Sequence, residues 1–405
     1  MRRKWMCVVL VMFCTVVLSG CWDRTEIEEH AFIVAVGLDK GKEKDQVKVT
    51  YQIANPPVGL PNTGGKGKEK ASAILTFPAP DFLTARDLAN ATLAREISFA
   101  HAKVLIVSEE LARTGQFWRE ISAAIRDREI RREMNVIVSK EDASEFIRNN
   151  DPSLETRPHK YYDFMSSRWA ESGLVPDATL QRLFQSTETK SDAFLGIYAT
   201  TKKGKRKESG GDEDNYLPGQ VDMRNGKNNT QLIGSAVFVN GKMKGTLSGE
   251  ETRLVLGARP FSKANLMYLT YKDPEAPDYR VSLRLVKQYP VDVNIDISGK
   301  RPIIRVNVNA EAEVVSIPSG INYVTDLKQQ QKLERSIEQQ LNKKYEQLIN
   351  RTQEEFERDL FHWSLTVRKK FWTVPEFEKY NWSKRYAKAD IKVNFHIRFR
   401  DFGKQ

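Results

Sequence analysis

The chain has 405 residues, 40% hydrophobic and 29% charged, with a formal charge of +11. That composition excludes a wholly disordered protein and is enough for two or three ordinary domains. The three cysteines, Cys7, Cys14 and Cys21, all lie at the start of the chain, so the body beyond them can hold no disulfide framework, no Cys-based metal site and no cysteine nucleophile.

The first element is a leader. Arg2, Arg3 and Lys4 precede an uncharged run from Trp5 to Leu18, and Leu18-Ser19-Gly20-Cys21 follows. A basic start, an apolar run and small residues before the cut form a secretory signal, expected to span residues 1–20. Leucine three positions before the cut, small residues at the next two and cysteine just after it form the bacterial lipobox. Cleavage is expected between Gly20 and Cys21, with lipid carried on the Cys21 thiol. An uncut N-terminal anchor is the competing reading, because the run approaches the roughly 18 residues at which a spanning helix becomes possible. Removing Arg2, Arg3 and Lys4 from the +11 leaves +8, a balance that suits anionic lipid headgroups and would also suit nucleic acid.

Beyond the leader, Phe32–Leu38 reads as a buried strand, Gln46–Ala54 as a second and Ser72–Phe77 as a third. Asn55–Lys70, rich in Pro, Gly and Lys, reads as an exposed loop, and it lacks the spacing of a phosphate-binding loop. A helix begins at Asp81. Val104–Val107 is a strand, helical periods run from Leu111 to Arg128, Val136–Val138 is a strand, and a helix covers Glu141–Arg148. Alternating strands and helices predict an α/β or α+β domain over residues 22–152, with strand direction left open.

A smaller middle domain is expected over 153–262. It holds helices at Lys160–Glu171 and Pro176–Gln185, a strand at Phe194–Thr200 and a disordered charged loop about 202–229. Leu232–Val239 and Met243–Leu247 form a hairpin around Asn240-Gly241, since Asn-Gly supplies the positive φ angles of a two-residue turn. A helix follows from Gly249 to about Gly257.

The last domain, 263–405, has the clearest pattern. Apolar residues alternate from Val281 to Leu285, Val291 to Ile297 and Ile304 to Val314, which marks strands with one dry and one wet face. Leu333, Ile337, Leu341, Tyr345, Leu348 and further apolar residues out to Phe371 step by three or four, the stripe of one long helix or of two nearly in line. Thr325 or Asp326 is its expected cap, Arg368-Lys369-Lys370 its expected basic end, and Pro375 its stop. Ala389 to Phe399 alternates again and can pair with an earlier strand. The expected fold is α+β and multi-domain, with a C-terminal antiparallel sheet packed against a long amphipathic helix.

Catalytic constellations are missing. The five histidines, His30, His101, His159, His362 and His396, show no pair at helix spacing and no His-Glu-x-x-His. There is no Gly-x-Ser-x-Gly elbow and no Gly-x-Gly-x-x-Gly. No catalytic, cofactor-binding or metal-ligating residue is assigned, and no enzyme activity is expected. Arg126–Arg132 and Lys202–Lys207 are basic but lack the interleaved aromatics that stack single-stranded bases, so no nucleic-acid partner is expected.

Taken together, Cys21-Trp22-Asp23-Arg24 with Glu26-Ile27, Val36-Gly37-Leu38-Asp39, and Phe99-Ala100-His101-Ala102-Lys103-Val104 with Glu109-Glu110-Leu111-Ala112 and Gly115 resemble one family. Gly234-x-Ala236-Val237-Phe238, Gly245-x-Leu247, Asp359-x-Phe361 and Gly403 continue the match in the same order. The chain resembles the C subunits of the nutrient germinant receptors of endospore-forming bacteria, the Ger(x)C lipoproteins. His362-Trp363 departs from it, standing where the resemblance implies a smaller, glycine-containing turn. The resemblance implies a non-enzymatic α+β protein, lipid-anchored through Cys21 to the outer face of the cell membrane and to the inner membrane of the spore. Its implied partners are the membrane subunits A and B. The alternative is a solute-binding lipoprotein serving a transporter, which would require two similar lobes; the sequence has no internal repeat.

Overall fold

The computed structural model describes residues 2–6, 26, 29–55, 71–152, 154–205, 215–223, 228–261, 266–287 and 290–402. The loop expected at Asn55–Lys70 therefore lies almost wholly outside the described residues, as do 206–214 and 224–227 of the charged stretch.

The first sheet is built from β1 (His30–Lys40), β2 (Val47–Ala54), β3 (Ser72–Ala79), the short β4 (Glu96–Ser98), β5 (Val104–Ser108), β6 (Asn135–Ser139), β7 (Phe194–Thr200), β8 (Gln231–Val239) and β9 (Lys242–Leu247). Its order is β3-β2-β1-β5-β6-β7-β8-β9, with β4 beside β1. The centre is parallel: β1 with β5, β5 with β6 and β6 with β7. The flanks are antiparallel hairpins. This answers the question of strand direction, and it explains why β1 and β5 read as continuous apolar runs: central parallel strands are covered on both faces. The sequence pattern missed β4, three residues too short to show alternation. Strands from the segment expected as a middle domain, β7 to β9, enter this same sheet.

The layers on the sheet are α1 (Phe82–Asn90), α2 (Glu109–Ala112), α3 (Gln116–Ala124), α4 (Ala143–Asn149), α5 (Pro158–Ser172), α6 (Leu180–Thr189) and α7 (Gly249–Ala258). Asp81 caps α1, its Oδ1 accepting from the N–H groups of Leu83 at 2.9 Å and Thr84 at 2.8 Å. Asp39 caps α4 from a distance, its carboxylate accepting from Ala143 N at 2.5 Å and Ser144 N at 3.0 Å, which pins the helix to the end of β1. The expected Asn-Gly turn is present, with φ of 52° at Asn240 and 75° at Gly241.

The second sheet contains β10 (Leu266–Lys272), β11 (Arg280–Lys287), β12 (Asp292–Asp296), β13 (Ile303–Ser316) and β14 (Asp390–Asp401). β13 is its spine, pairing antiparallel with β11 and β12 and parallel with β14. The alternating residues of β11, β13 and β14 predicted to face inward are buried, apart from the partly exposed Ile391. A parallel β13–β14 pair needs a crossover, and α8 (Leu327–Arg351) supplies it. Asp326 is its cap, accepting from Lys328 N and Gln329 N. The helix also covers the outer edge of β14. Asn342, Glu338 and Glu334 accept from the N–H groups of Phe395 at 2.8 Å, Ile397 at 2.9 Å and Phe399 at 3.3 Å. Four residues of helix rise about 6 Å and two residues of strand about 6.8 Å, so the two rows stay in register over three partners.

The helical stripe expected to run on to Phe371 is broken. After α8 a π-helical turn covers Thr352–Phe356, and Glu357 stops it in the left-handed region at φ 49°. The chain then forms three short helices, α9 (Ser364–Arg368), α10 (Val374–Tyr380) and α11 (Trp382–Tyr386). The three-to-four spacing persists because Leu360, Trp363 and Val367 are buried in the same core as α8. Pro375 starts a helix instead of stopping one: it stands in the first turn of α10 behind a Thr373–Glu376 capping box.

The two sheets meet along a seam. Gly245 of β9 lies so close to the π-turn that a Cβ there would sit 2.8 Å from Phe356 Cε1 and 2.7 Å from Glu355 Oε1. Glu355 can swing into solvent, but the Phe356 ring is 4% exposed and cannot. Gly245→Ala is expected to lower stability by about 1–3 kcal/mol through overpacking, read as a shifted denaturant midpoint; an unshifted midpoint would mean that Phe356 has room.

Candidate functional site

Gly20 and Cys21, the only residues the sequence assigns to a site, lie outside the described residues. No helix among those described is long and apolar enough to cross a membrane, and no group of three or more His, Asp or Glu among them is placed to hold a metal. His101 is exposed, its ring edge-on to Phe32 at 4.8 Å. His396 faces outward as its place in the alternation predicts, 3.9 Å from Glu338.

Two features of the seam stand out instead. The first is a carboxyl pair, Asp359 fully buried and Asp192 partly so. Asp359 forms a parallel bridge with Asp192, and Ala193 N donates to Asp359 O at 2.9 Å. The Asp359 carboxylate accepts from Phe361 N at 2.8 Å, Ser364 N at 2.8 Å and the Trp382 Nε1–H at 3.2 Å. Arg259 stands nearby, 6% exposed, with Nε and Nη2 donating to Leu360 O at 3.0 and 2.9 Å. Burial raises the pKa of both carboxyls, and the Asp359 charge adds to the effect on Asp192. Three donors hold the charge on Asp359. Oδ1 of Asp192 is buried with no partner among the described residues, so Asp192 is the group that keeps its proton.

The sign of the resulting pH dependence is fixed. A carboxyl whose folded-state pKa is raised binds more protons folded than unfolded. Its stabilising contribution is full below the unfolded value and is lost as pH rises through the folded one. Asp192→Asn keeps the shape and removes the titration. It is expected to raise the denaturant midpoint at pH 7, with the gain shrinking toward pH 4; a lower midpoint at pH 7 would show that an ionised Asp192 is bound by Arg259.

The second feature is a cleft of about 400 Å³ beside this pair. Its floor is the start of β6 and of α6, where Val136 N donates to Ala178 O and Leu180 N to Met134 O, both at 2.8 Å. Trp169 of α5, Arg182, Arg259, Phe261 and the turn at His362 line it. Arg182 pairs with Asp177 at 2.8 Å. His362 has φ 61°, a conformation that costs a residue with a Cβ roughly 1–2 kcal/mol. Burial, then Arg259 and Arg182, hold its pKa well below the ordinary histidine value, so the imidazole is neutral at pH 7. Burial likewise lowers Arg259 to about 10, with Arg182 adding to the shift. Trp363, the other residue of this unexpected pair, is fully buried; it stacks on Phe361 at 4.3 Å and its Nε1–H donates to Ala258 O at 3.1 Å.

The residues that recur in the motifs have structural roles here: Asp39 caps a helix, Gly245 admits Phe356 and Asp359 organises the seam. Residues 23–200 match the family model described as spore germination protein N-terminal domain, and residues 233–403 match that described as spore germination B3/GerAC-like, C-terminal. The spore germination protein KC of Bacillus subtilis (strain 168) is 25% identical, over 98% of this chain and 96% of that protein. YndF of the same strain, also a spore germination protein, is 22% identical over 100% and 98%. The crystal structure of the GerBC protein superposes with a TM-score of 0.53 at 15% identity, over 90% of this chain and 96% of that one. The chain belongs to the Ger(x)C family, the C subunits of germinant receptors, and is a non-enzymatic receptor component.

Proposed function

We propose that this protein is a lipid-anchored C subunit of a nutrient germinant receptor, held by Cys21 at the outer face of the cell membrane and, in the spore, at the inner membrane. It acts by protein contact with the receptor's two membrane subunits, A and B, to trigger germination. The observation that carries the anchor is the lipobox Leu18-Ser19-Gly20-Cys21 at the end of a signal-like leader, with Cys21 the sole cysteine left after cleavage. Family membership supports the receptor role.

The tether supports a close approach to the bilayer. Eight residues separate Cys21 from His30, where β1 begins, and at about 3.3–3.6 Å per residue they reach no farther than roughly 30 Å. Crosslinking in spore membranes tests the assembly: the A and B subunits should be captured with this chain, and capture of neither would end the proposal. A deletion strain should lose germination by nutrients and keep germination by non-nutrient agents.

A further inference from the structure

The cleft beside the seam has the chemistry of a ligand site that contact with membrane subunits does not require. Its charge is set by two guanidiniums, Arg182 and Arg259, against one lining carboxylate, Asp177, which already pairs with Arg182. Arg259 is held in place by both of its bonds to Leu360 O. His362 lines the same cleft, and its backbone is held in the left-handed region. Strain of this kind persists where the surroundings impose it, and it gathers at functional sites. Trp169 adds an independent sign: it lines the same cleft, is 6% exposed, and its Nε1–H is buried with no acceptor among the described residues. A buried donor left unsatisfied is costly and is rare in a finished core. Phe261 supplies an apolar wall.

We propose that this cleft binds a small organic molecule bearing an oxyanion, a carboxylate or a phosphate, on an apolar body. The oxyanion meets Arg182 and the His362 imidazole N–H, and the apolar body lies against Trp169 and Phe261. Planar guanidinium suits both kinds of oxyanion, and a concave site with aromatic side chains and a few convergent polar groups is a common form of small-molecule pocket. The site is independent of the lipid anchor: it stands or falls on the folded body, whatever holds that body to a membrane.

The test is calorimetric titration of the full-length protein in detergent with four probes: benzoate, phenyl phosphate, inorganic phosphate and benzyl alcohol. Benzoate or phenyl phosphate should bind, and the stronger of the two identifies the oxyanion. Inorganic phosphate and benzyl alcohol, each lacking half of the recognition, should bind at least about tenfold more weakly. Arg182→Gln, which breaks an exposed ion pair and relieves repulsion on Arg259, should weaken the better probe by about tenfold or more without lowering the melting temperature. His362→Gly should raise the melting temperature, because glycine accepts φ 61°, and should weaken the same probe by about tenfold or more. Heat from neither aromatic acid, or binding unchanged in both variants, overturns the proposal. So does inorganic phosphate matching phenyl phosphate, which would reduce the site to a bare anion contact.

Discussion

Cys21→Ala is expected to abolish incorporation of a radiolabelled fatty acid into this protein and to leave the leader uncut, visible as a heavier band. The reason is chemical. In the proposed anchor the Cys21 thiol would accept the diacylglycerol, and cleavage before residue 21 would follow that transfer. Each buried methylene contributes about 0.8 kcal/mol, so one acyl chain gives marginal, reversible attachment and two give a lasting one. Losing the thiol removes both chains at once, which makes the effect all or none. Equal labelling of wild type and variant would show that Cys21 does not carry the lipid, and the lipid-anchor reading would fail.

Asp359→Ala should be the most damaging substitution inside the folded body. The carboxylate is fully buried and receives Phe361 N, Ser364 N and Trp382 Nε1. Alanine leaves three donors without an acceptor and takes a countercharge from Arg259, which is itself buried. Breaking a buried ionic arrangement from one side costs about 3–5 kcal/mol. The loss is read as a fall in the urea midpoint at pH 7. Asp359→Asn, which keeps one acceptor oxygen but aims an amide at the other donors, should fall between. A change under about 0.5 kcal/mol, the range of ordinary surface substitutions, would mean that water takes over the three donors and that the seam is looser than its geometry.

Most of the strands and the long helix were legible because they follow simple periods. β13 and β14 alternate over many residues, and α8 carries an apolar residue at every third or fourth position with a capping aspartate ahead of it. What the pattern could not give was the point at which a period changes its meaning. From Leu360 to Val367 the spacing still reads as helix, yet the chain has turned through Glu357 and packs as short pieces into the same core. Spacing reports only which side is dry. Pro375 reads as a terminator because proline is compatible with both ends of a helix; Thr373 and Glu376, three residues apart, are the available sign that it begins one.

The cleft was not legible. Arg182, Arg259 and His362 are scattered across the chain, and each alone is an ordinary charged or polar residue. The one visible trace was His362-Trp363 standing where a smaller turn was expected. The structure gives that departure a form: a histidine in a glycine-like conformation, facing two arginines. Asp192 and Asp359 were equally hidden, because a carboxyl reveals that it is buried only when the strands around it are placed.

The row of Glu334, Glu338 and Asn342 against β14 bears on how many copies of this protein can share one membrane. Molecules tethered to a surface meet in two dimensions, where even weak edge-to-edge pairing between strands would gather them into ladders. An exposed strand edge is an open template for such growth. Here three N–H groups of that edge are already occupied by side chains of the crossover helix. The second sheet is thereby closed to extension along those residues, and dense display on a membrane need not become polymerisation through them.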